Sequence, residues 1–238
     1  MPDKKTAIVT GAHQGIGAGL VEAFLKNGYN VVGTSLNVPD SLTASPSRVF
    51  VDGDISKPET SAKVVEAAMA HFGTIDVLVN NAGIFRTKPF TDFTTEDFNA
   101  LFSINLLGFL YMTQLTVKQM LKQKSGNVVS ITASLADQPV ASIHASASMI
   151  TKGGLNTVTR HLAIEYAKEG IRFNAVAPGV VDSPLHKNEP KDSLKKLQPM
   201  GKIVEIKDIV DAVLYLAEAD QITGEVLHVD GGAHAGRW

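Results

Sequence analysis

The chain of 238 residues has no cysteine, which excludes disulfides and thiolate metal sites; no metal centre of any kind is expected. It has no charge excess either: 22 Lys and Arg stand against 24 Asp and Glu, a formal net charge of −2. That balance leaves no electrostatic footprint for nucleic acid, and no Lys/Arg run marks an anionic membrane surface. Nothing in the first residues, Met1-Pro2-Asp3-Lys4-Lys5, forms an apolar signal stretch, and no segment is expected to approach a membrane span. The cytoplasm is the expected location. Internal repeats, low-complexity tracts and linkers are also missing, so residues 1–238 read as one domain.

What is present is an alternation of two hydrophobic periods. Strand-like runs at Thr6–Thr10, Asn30–Thr34, Val49–Val51, Val77–Val79, Asn127–Ile131, Arg172–Ala177 and Glu225–Val229 are separated by helical patterns. The helices are expected after Gly15 (apolar Ile16, Leu20, Ala23 and Phe24), over Lys57–His71, over Thr95–Lys122 with Thr94 and Asp97 as a capping box, over Ser148–Ala167 and over Lys207–Ala217. Strands alternating with helices specify an α/β fold, a single doubly wound domain on a parallel sheet. The stretch from Pro178 to about residue 201 is polar and proline-rich, and is expected to be a mobile lid over a substrate.

A glycine-rich turn, Thr10-Gly11-Ala12-His13-Gln14-Gly15-Ile16-Gly17, joins the first strand to the first helix. Glycines permit a sharp turn and a close backbone approach, and the helix N-terminus offers free N–H groups and positive dipole charge to a pyrophosphate. Three glycines alone fit a plain turn about equally well; their place after the first strand of an α/β chain points to a dinucleotide.

The spacing Gly-x-x-x-Gly-x-Gly resembles the fingerprint of the short-chain dehydrogenase/reductase family. Further matches follow in order: Asp54-Ile55, Asn80-Asn81-Ala82-Gly83, Asn105 within Ser103-Ile104-Asn105-Leu106, Pro178-Gly179 and Val229-Asp230-Gly231-Gly232. The resemblance covers nearly the whole chain. It implies one Rossmann-type domain, a nicotinamide cofactor, a small-molecule substrate and a homotetramer or homodimer. On that reading Gly11, Gln14, Gly15, Ile16 and Gly17 line the pyrophosphate, Asp54 and Ile55 contact the adenine, and Asn81, Ala82 and Gly83 pass along the adenine ribose. Pro178, Gly179, Val181 and Ser183 then edge the nicotinamide carboxamide. Where an NAD site places a carboxylate for the ribose 2′-OH, this sequence has Ser35, which leans the choice towards NADP over NAD; the absence of a neighbouring Arg weakens that lean.

The resemblance also sets an expectation that the chain breaks. The family works with Asn, Ser, Tyr and Lys, the Tyr and Lys four residues apart on one helix face. Lys152 matches the lysine and Asn105 the asparagine, but four residues before Lys152 stands Ser148. A phenol titrates near 10 and a lysine ammonium can pull it lower, whereas an alkyl hydroxyl is far less acidic. At the serine position stands Ala133, flanked by Thr132 and Ser134, of which Ser134 is favoured. The proton could come from water, His144 or Lys152; His144 more often has a structural or solvated role. The glycines after Lys152, Gly153-Gly154, are expected to mark close backbone packing. Two functions remain open: an oxidoreductase on a carbonyl/alcohol pair with an altered proton donor, or a nicotinamide-binding sensor, regulator or assembly subunit with little or no catalysis.

Overall fold

The computed structural model describes residues 4–42 and 44–236; Met1, Pro2 and Asp3, part of the N-terminal stretch read from the sequence, lie outside the described residues. Seven strands form one all-parallel sheet in the order β3-β2-β1-β4-β5-β6-β7. They are β1 (Thr6–Thr10), β2 (Asn30–Ser35), β3 (Arg48–Asp52), β4 (Val77–Asn80), β5 (Gly126–Ile131), β6 (Ile171–Pro178) and β7 (Val226–Val229). The β1 and β5 strands are buried along their whole length. That fits near-continuous Val/Ile/Ala runs rather than alternating ones, because helices cover both faces of a parallel sheet. One face packs through Val9, Val31, Val79 and Val129 on α1 (Gly15–Lys26) and α7 (Ile206–Glu218). The other packs through Ile8, Val32, Leu78 and Val128 with α2 (Pro58–Phe72) and α4 (Gly108–Gln123).

The strand order reverses between β1 and β4, whose carboxyl ends diverge to leave a crevice; ligands of such sheets bind there. Thr10 and Asn81 tie the two ends together. Asn81 Nδ2 donates to the Thr10 carbonyl at 2.8 Å, and the N–H groups of Asn81 and Ala82 donate to Thr10 Oγ1 at 3.0 and 2.9 Å.

Three expectations change. The long helix is not uniform: α3 (Thr95–Leu101), capped by Thr94 and Asp97 as the sequence indicates, passes through a π-helical segment, Phe102–Leu107, into α4. This run, Thr95–Gln123, is also long and apolar enough to cross a membrane by length and composition alone, contrary to the sequence reading. Its apolar residues Met112, Val117 and Met120 lie in the core. Lastly, α5 (Ser146–Tyr166) begins two residues early, and its glycines are not wedged against this chain: a Cβ on Gly153 would rest at 3.7 Å from Ala136, and one on Gly154 would meet nothing within 4 Å.

Candidate active site

A cleft of about 1210 Å³ opens at the carboxyl ends of the strands and runs from Ser35 to the lid. Its lining includes nearly all the residues singled out from the sequence: Gly11, Gln14, Gly15, Ile16, Ser35, Asp54, Ile55, Asn81, Ala82, Gly83, Ser134, Lys152, Pro178, Gly179, Val181 and Ser183. Gly17, Asn105 and Ser148 lie outside this lining.

At the first turn each glycine has a separate reason. Gly11 and Gly15 have φ of +67° and +55°, a region that side chains disfavour. A Cβ on Gly17 would fall 2.0 Å from the Gly11 carbonyl oxygen, so Gly17 shapes the turn from behind. At Gly15 the nearest atom to such a Cβ is Pro184 Cδ, 3.4 Å away in the lid. The turn therefore presents bare backbone to the cleft and the start of α1 points its N–H groups there, a geometry suited to a pyrophosphate. At the β2 end, Ser35 Oγ accepts the His13 N–H at 3.2 Å. Beside it two buried polar atoms, His13 Nδ1 and Thr34 Oγ1, have no hydrogen-bond partner, and both residues line the cleft. Buried polar atoms without partners carry a cost that a polar ligand removes. Asp54 Oδ1 accepts the Ser56 N–H at 2.9 Å, which fixes the turn after β3.

At the other end α5 brings Lys152 to the cleft floor. Its Nζ donates to the Ile131 carbonyl at 2.8 Å, and the residue is only 9% exposed. Burial disfavours its charged form and lowers its pKa to about 8. A Cβ on Gly83 would stand 3.2 Å from Lys152 Nζ and 3.1 Å from Asn105 Oδ1, so a bare backbone there lets both groups approach. Asn105 lies behind the floor, on the π segment. Its Oδ1 accepts the Ile84 N–H at 2.8 Å, and its Nδ2 donates to the Ile84 carbonyl and to Thr151 Oγ1, each at 3.0 Å. Asn105 thus holds the chain after Gly83 against α5.

The serine region resolves into distinct roles. Thr132 Oγ1 donates to the Val176 carbonyl at 3.3 Å. Ala133 is extended, and Ser134 opens a 3-10 turn, Ser134–Ala136, with a hydroxyl that has no partner among the described residues. Asp137, next in sequence, accepts from Asn156 Nδ2 at 3.2 Å and pairs with His228 Nε2 at 2.9 Å. Those bonds anchor the turn to α5 and β7. They join residues 19 and 91 apart in sequence, and no local pattern announced them.

Ser148 is wholly buried. Its Oγ donates to the Arg86 carbonyl at 2.8 Å and accepts the Arg86 N–H at 2.9 Å. The hydroxyl of the position four residues before Lys152 thereby clamps the backbone between the cleft-lining residues Phe85 and Thr87. Arg86 and Lys88 then both pair with Asp97. The bond from Lys88, with the Thr94 N–H, holds that carboxyl well below the usual range.

The segment expected to form a lid, residues 178–201, is more built than its composition suggested. It carries a 3-10 turn, Pro184–His186, and a short helix α6 (Lys191–Lys195). Its base is fixed by the Val181–Val204 bridge and by Gln198 Nε2 donating to the Val180 carbonyl at 2.8 Å.

Similarity to known proteins agrees with this geometry. Residues 11–234 match the family profile described as enoyl-(acyl carrier protein) reductase. A 3-oxoacyl-(acyl-carrier-protein) reductase, FabG, of Buchnera aphidicola is 31% identical over 97% of this chain and 98% of its own length. The 3beta-hydroxysteroid dehydrogenase 1 of Eggerthella lenta is 32% identical over 96% of this chain and 93% of its own. Among solved structures, ElxO with NADP bound has a TM-score of 0.90 at 30% identity, covering 98% of this chain and 100% of that one. A 3-ketoacyl-(acyl-carrier-protein) reductase of Brucella melitensis complexed with NADH has a TM-score of 0.89 at 30% identity, covering 97% and 98%. With its switch-point cleft, its glycine turn and these relatives along its whole length, the chain belongs to the short-chain dehydrogenase/reductase family of oxidoreductases.

Proposed function

We propose that this chain is an NAD(P)-dependent oxidoreductase that interconverts a carbonyl compound and its alcohol, using a proton donor other than the family's tyrosine. One observation carries the reading: Lys152 and Ser134 line one cleft with Gly11, Gln14, Gly15 and Ile16 of the glycine turn, while Ser148 is directed into the Arg86 backbone. The nicotinamide supplies or receives the hydride when bound. The chain's own groups do the rest. The Gly11–Gly17 turn and the α1 N-terminus hold the pyrophosphate. Lys152 keeps one N–H on Ile131 and has two more for ribose hydroxyls or for the substrate oxygen. Ser134 offers a hydroxyl with no protein partner to that oxygen. A pKa of about 8 lets Lys152 give and regain a proton near neutral pH, as an acid–base group must.

NADP(H) is the favoured cofactor. Ser35 presents no carboxylate to a 2′-phosphate, and His13 Nδ1 and Thr34 Oγ1 are unpartnered polar atoms at the same corner. Side-by-side calorimetric titrations test this; tighter binding of NAD(H) by the unmodified protein rejects it.

The burial of Ser148 also favours a second reading, a nicotinamide-binding protein with little or no turnover. NADPH consumption across a panel of ketones and secondary alcohols, measured on protein shown to bind NADPH, separates the two. Binding without consumption selects the second.

We infer a homo-oligomer as well. Along α5 the exposed residues Ile150, Gly154, Thr157, His161 and Ile164 recur at helical spacing, with Ile164 81% exposed. The open space over Gly154 allows another backbone to approach closely, and Phe102, Leu107 and Leu110 add further exposed apolar surface.

A further inference from the structure

The substrate half of the cleft combines an apolar wall with a basic rim. Phe85, Leu135, Val140, Ile143, Leu194 and Leu197 line the wall. On one side of the rim, Arg86 and Lys88 share a single carboxylate, Asp97. Two cations on one carboxylate leave a positive charge uncompensated, and Lys88, which lines the cleft, keeps its side chain 40% exposed. The Lys88 N–H donates to the His144 carbonyl at 2.8 Å, so the two residues lie side by side. From the lid comes Lys187, exposed and without an ion pair among the described residues. The acids of the lining offset little of this: Asp54 stands at the adenosine end, and Glu189 pairs with His186 at 2.7 Å. A basic rim on a chain of net charge −2 is local, and walls of low dielectric strengthen its field.

We propose that the substrate has an apolar body and an anionic group, a carboxylate or phosphate, held by Lys88 and Lys187 while its reacting carbon lies near Ser134 and Lys152. This rests on the oxidoreductase reading above. Both lysines act as point charges, which suits a flexible anion better than a planar one needing a paired fork.

The test uses the NADP-loaded protein and three probes of equal chain length: a medium-chain 4-oxo acid, its methyl ester, and the corresponding keto alkyl phosphate. Calorimetry gives their affinities, and NADPH consumption gives their turnover. At least one anionic probe binds about tenfold or more tighter than the ester, and which one identifies the source of the charge. The advantage shrinks as salt is added and in Lys88→Gln and Lys187→Gln, while the affinity for NADP is unchanged. Lys187→Gln touches no structural pair, so its result stands even if Lys88→Gln disturbs Asp97. An ester that binds as well as both anions, no binding by any probe, or a preference that survives both substitutions overturns the proposal. Selective anion binding with no turnover of any probe rejects the oxidoreductase reading and leaves the anion assignment standing.

Discussion

The hydroxyl of Ser148 donates to one carbonyl and accepts from the N–H of the same residue, Arg86. Removing it leaves two backbone groups unpaired in a partly buried place, which costs about 1–3 kcal/mol. Ser148→Ala is expected to melt at lower temperature, and circular dichroism against temperature checks this. From the sequence alone, Ser148→Tyr places a phenol one helical turn from Lys152, enough for reductase activity if Ser134 reaches the substrate oxygen and in need of Ala133→Ser as well if Ala133 marks the serine position. The structure gives the opposite expectation, because the side chain's outlet is filled by the Arg86 backbone, so Ser148→Tyr should lose stability without gaining reductase activity. A folded Ser148→Tyr protein with raised NADPH consumption would refute that. Lys152 makes a second residue-level prediction. Its pKa in the folded protein is about 8, against an ordinary 10.5, because burial opposes its charge. The folded state therefore binds fewer protons than the unfolded chain between these values, and stability rises as pH climbs through that window. Below it the buried charge costs on the order of 3 kcal/mol. Relative to the unmodified protein, Lys152→Met should gain stability near pH 7, less about 1 kcal/mol for the Ile131 bond, and lose that advantage by pH 10.5. Denaturant melts at several pH values measure it; a difference independent of pH sinks it.

Among the elements, the glycine turn was legible in its place and its bends, because conformational freedom leaves a mark in local sequence, although Gly17, expected along the pyrophosphate, lies outside the cleft lining. Its glycines nonetheless differ in kind. Gly17→Ala places a Cβ 2.0 Å from a carbonyl oxygen and should unfold the start of α1. At Gly15 an added Cβ meets Pro184 Cδ at an ordinary 3.4 Å, so the main strain of Gly15→Val is its φ of +55°, a cost of roughly 1–2 kcal/mol. It should stay folded while losing NADP binding; calorimetry on the folded variant showing unchanged affinity would contradict the placement of the pyrophosphate. The strands and the capping box of α3 were legible for the same local reasons. The π segment at Asn105 was not; its side chain bonds to Ile84 and Thr151, 21 and 46 residues away, which no local pattern marks. Nor was the diversion of Ser148, which depends on a strand-end loop 62 residues away. Gly153 and Gly154 misled in a further way: they imply close packing, and within this chain Gly154 faces open space.

For the whole molecule, that open space belongs with the exposed apolar face of α5. Gly154→Arg and Ile164→Glu should each shift the mass measured by light scattering towards the monomer while the circular dichroism spectrum is kept. An unmodified protein that is already monomeric at micromolar concentration removes the premise. The order of the sheet has a consequence for synthesis. One side of the cleft, from the Gly11 turn through Ser35 and Asp54 to Gly83, comes from the first 83 residues. Residues 178–201, the edge strand β7 and the cleft-lining residue Ala233 come late, and His228 on that strand joins Asn156 of α5 in tying down Asp137 beside Ser134. As the chain leaves the ribosome from its N-terminus, the end of the cleft around the glycine turn is made first, and one anchor of the Ser134 turn arrives only when translation is nearly complete.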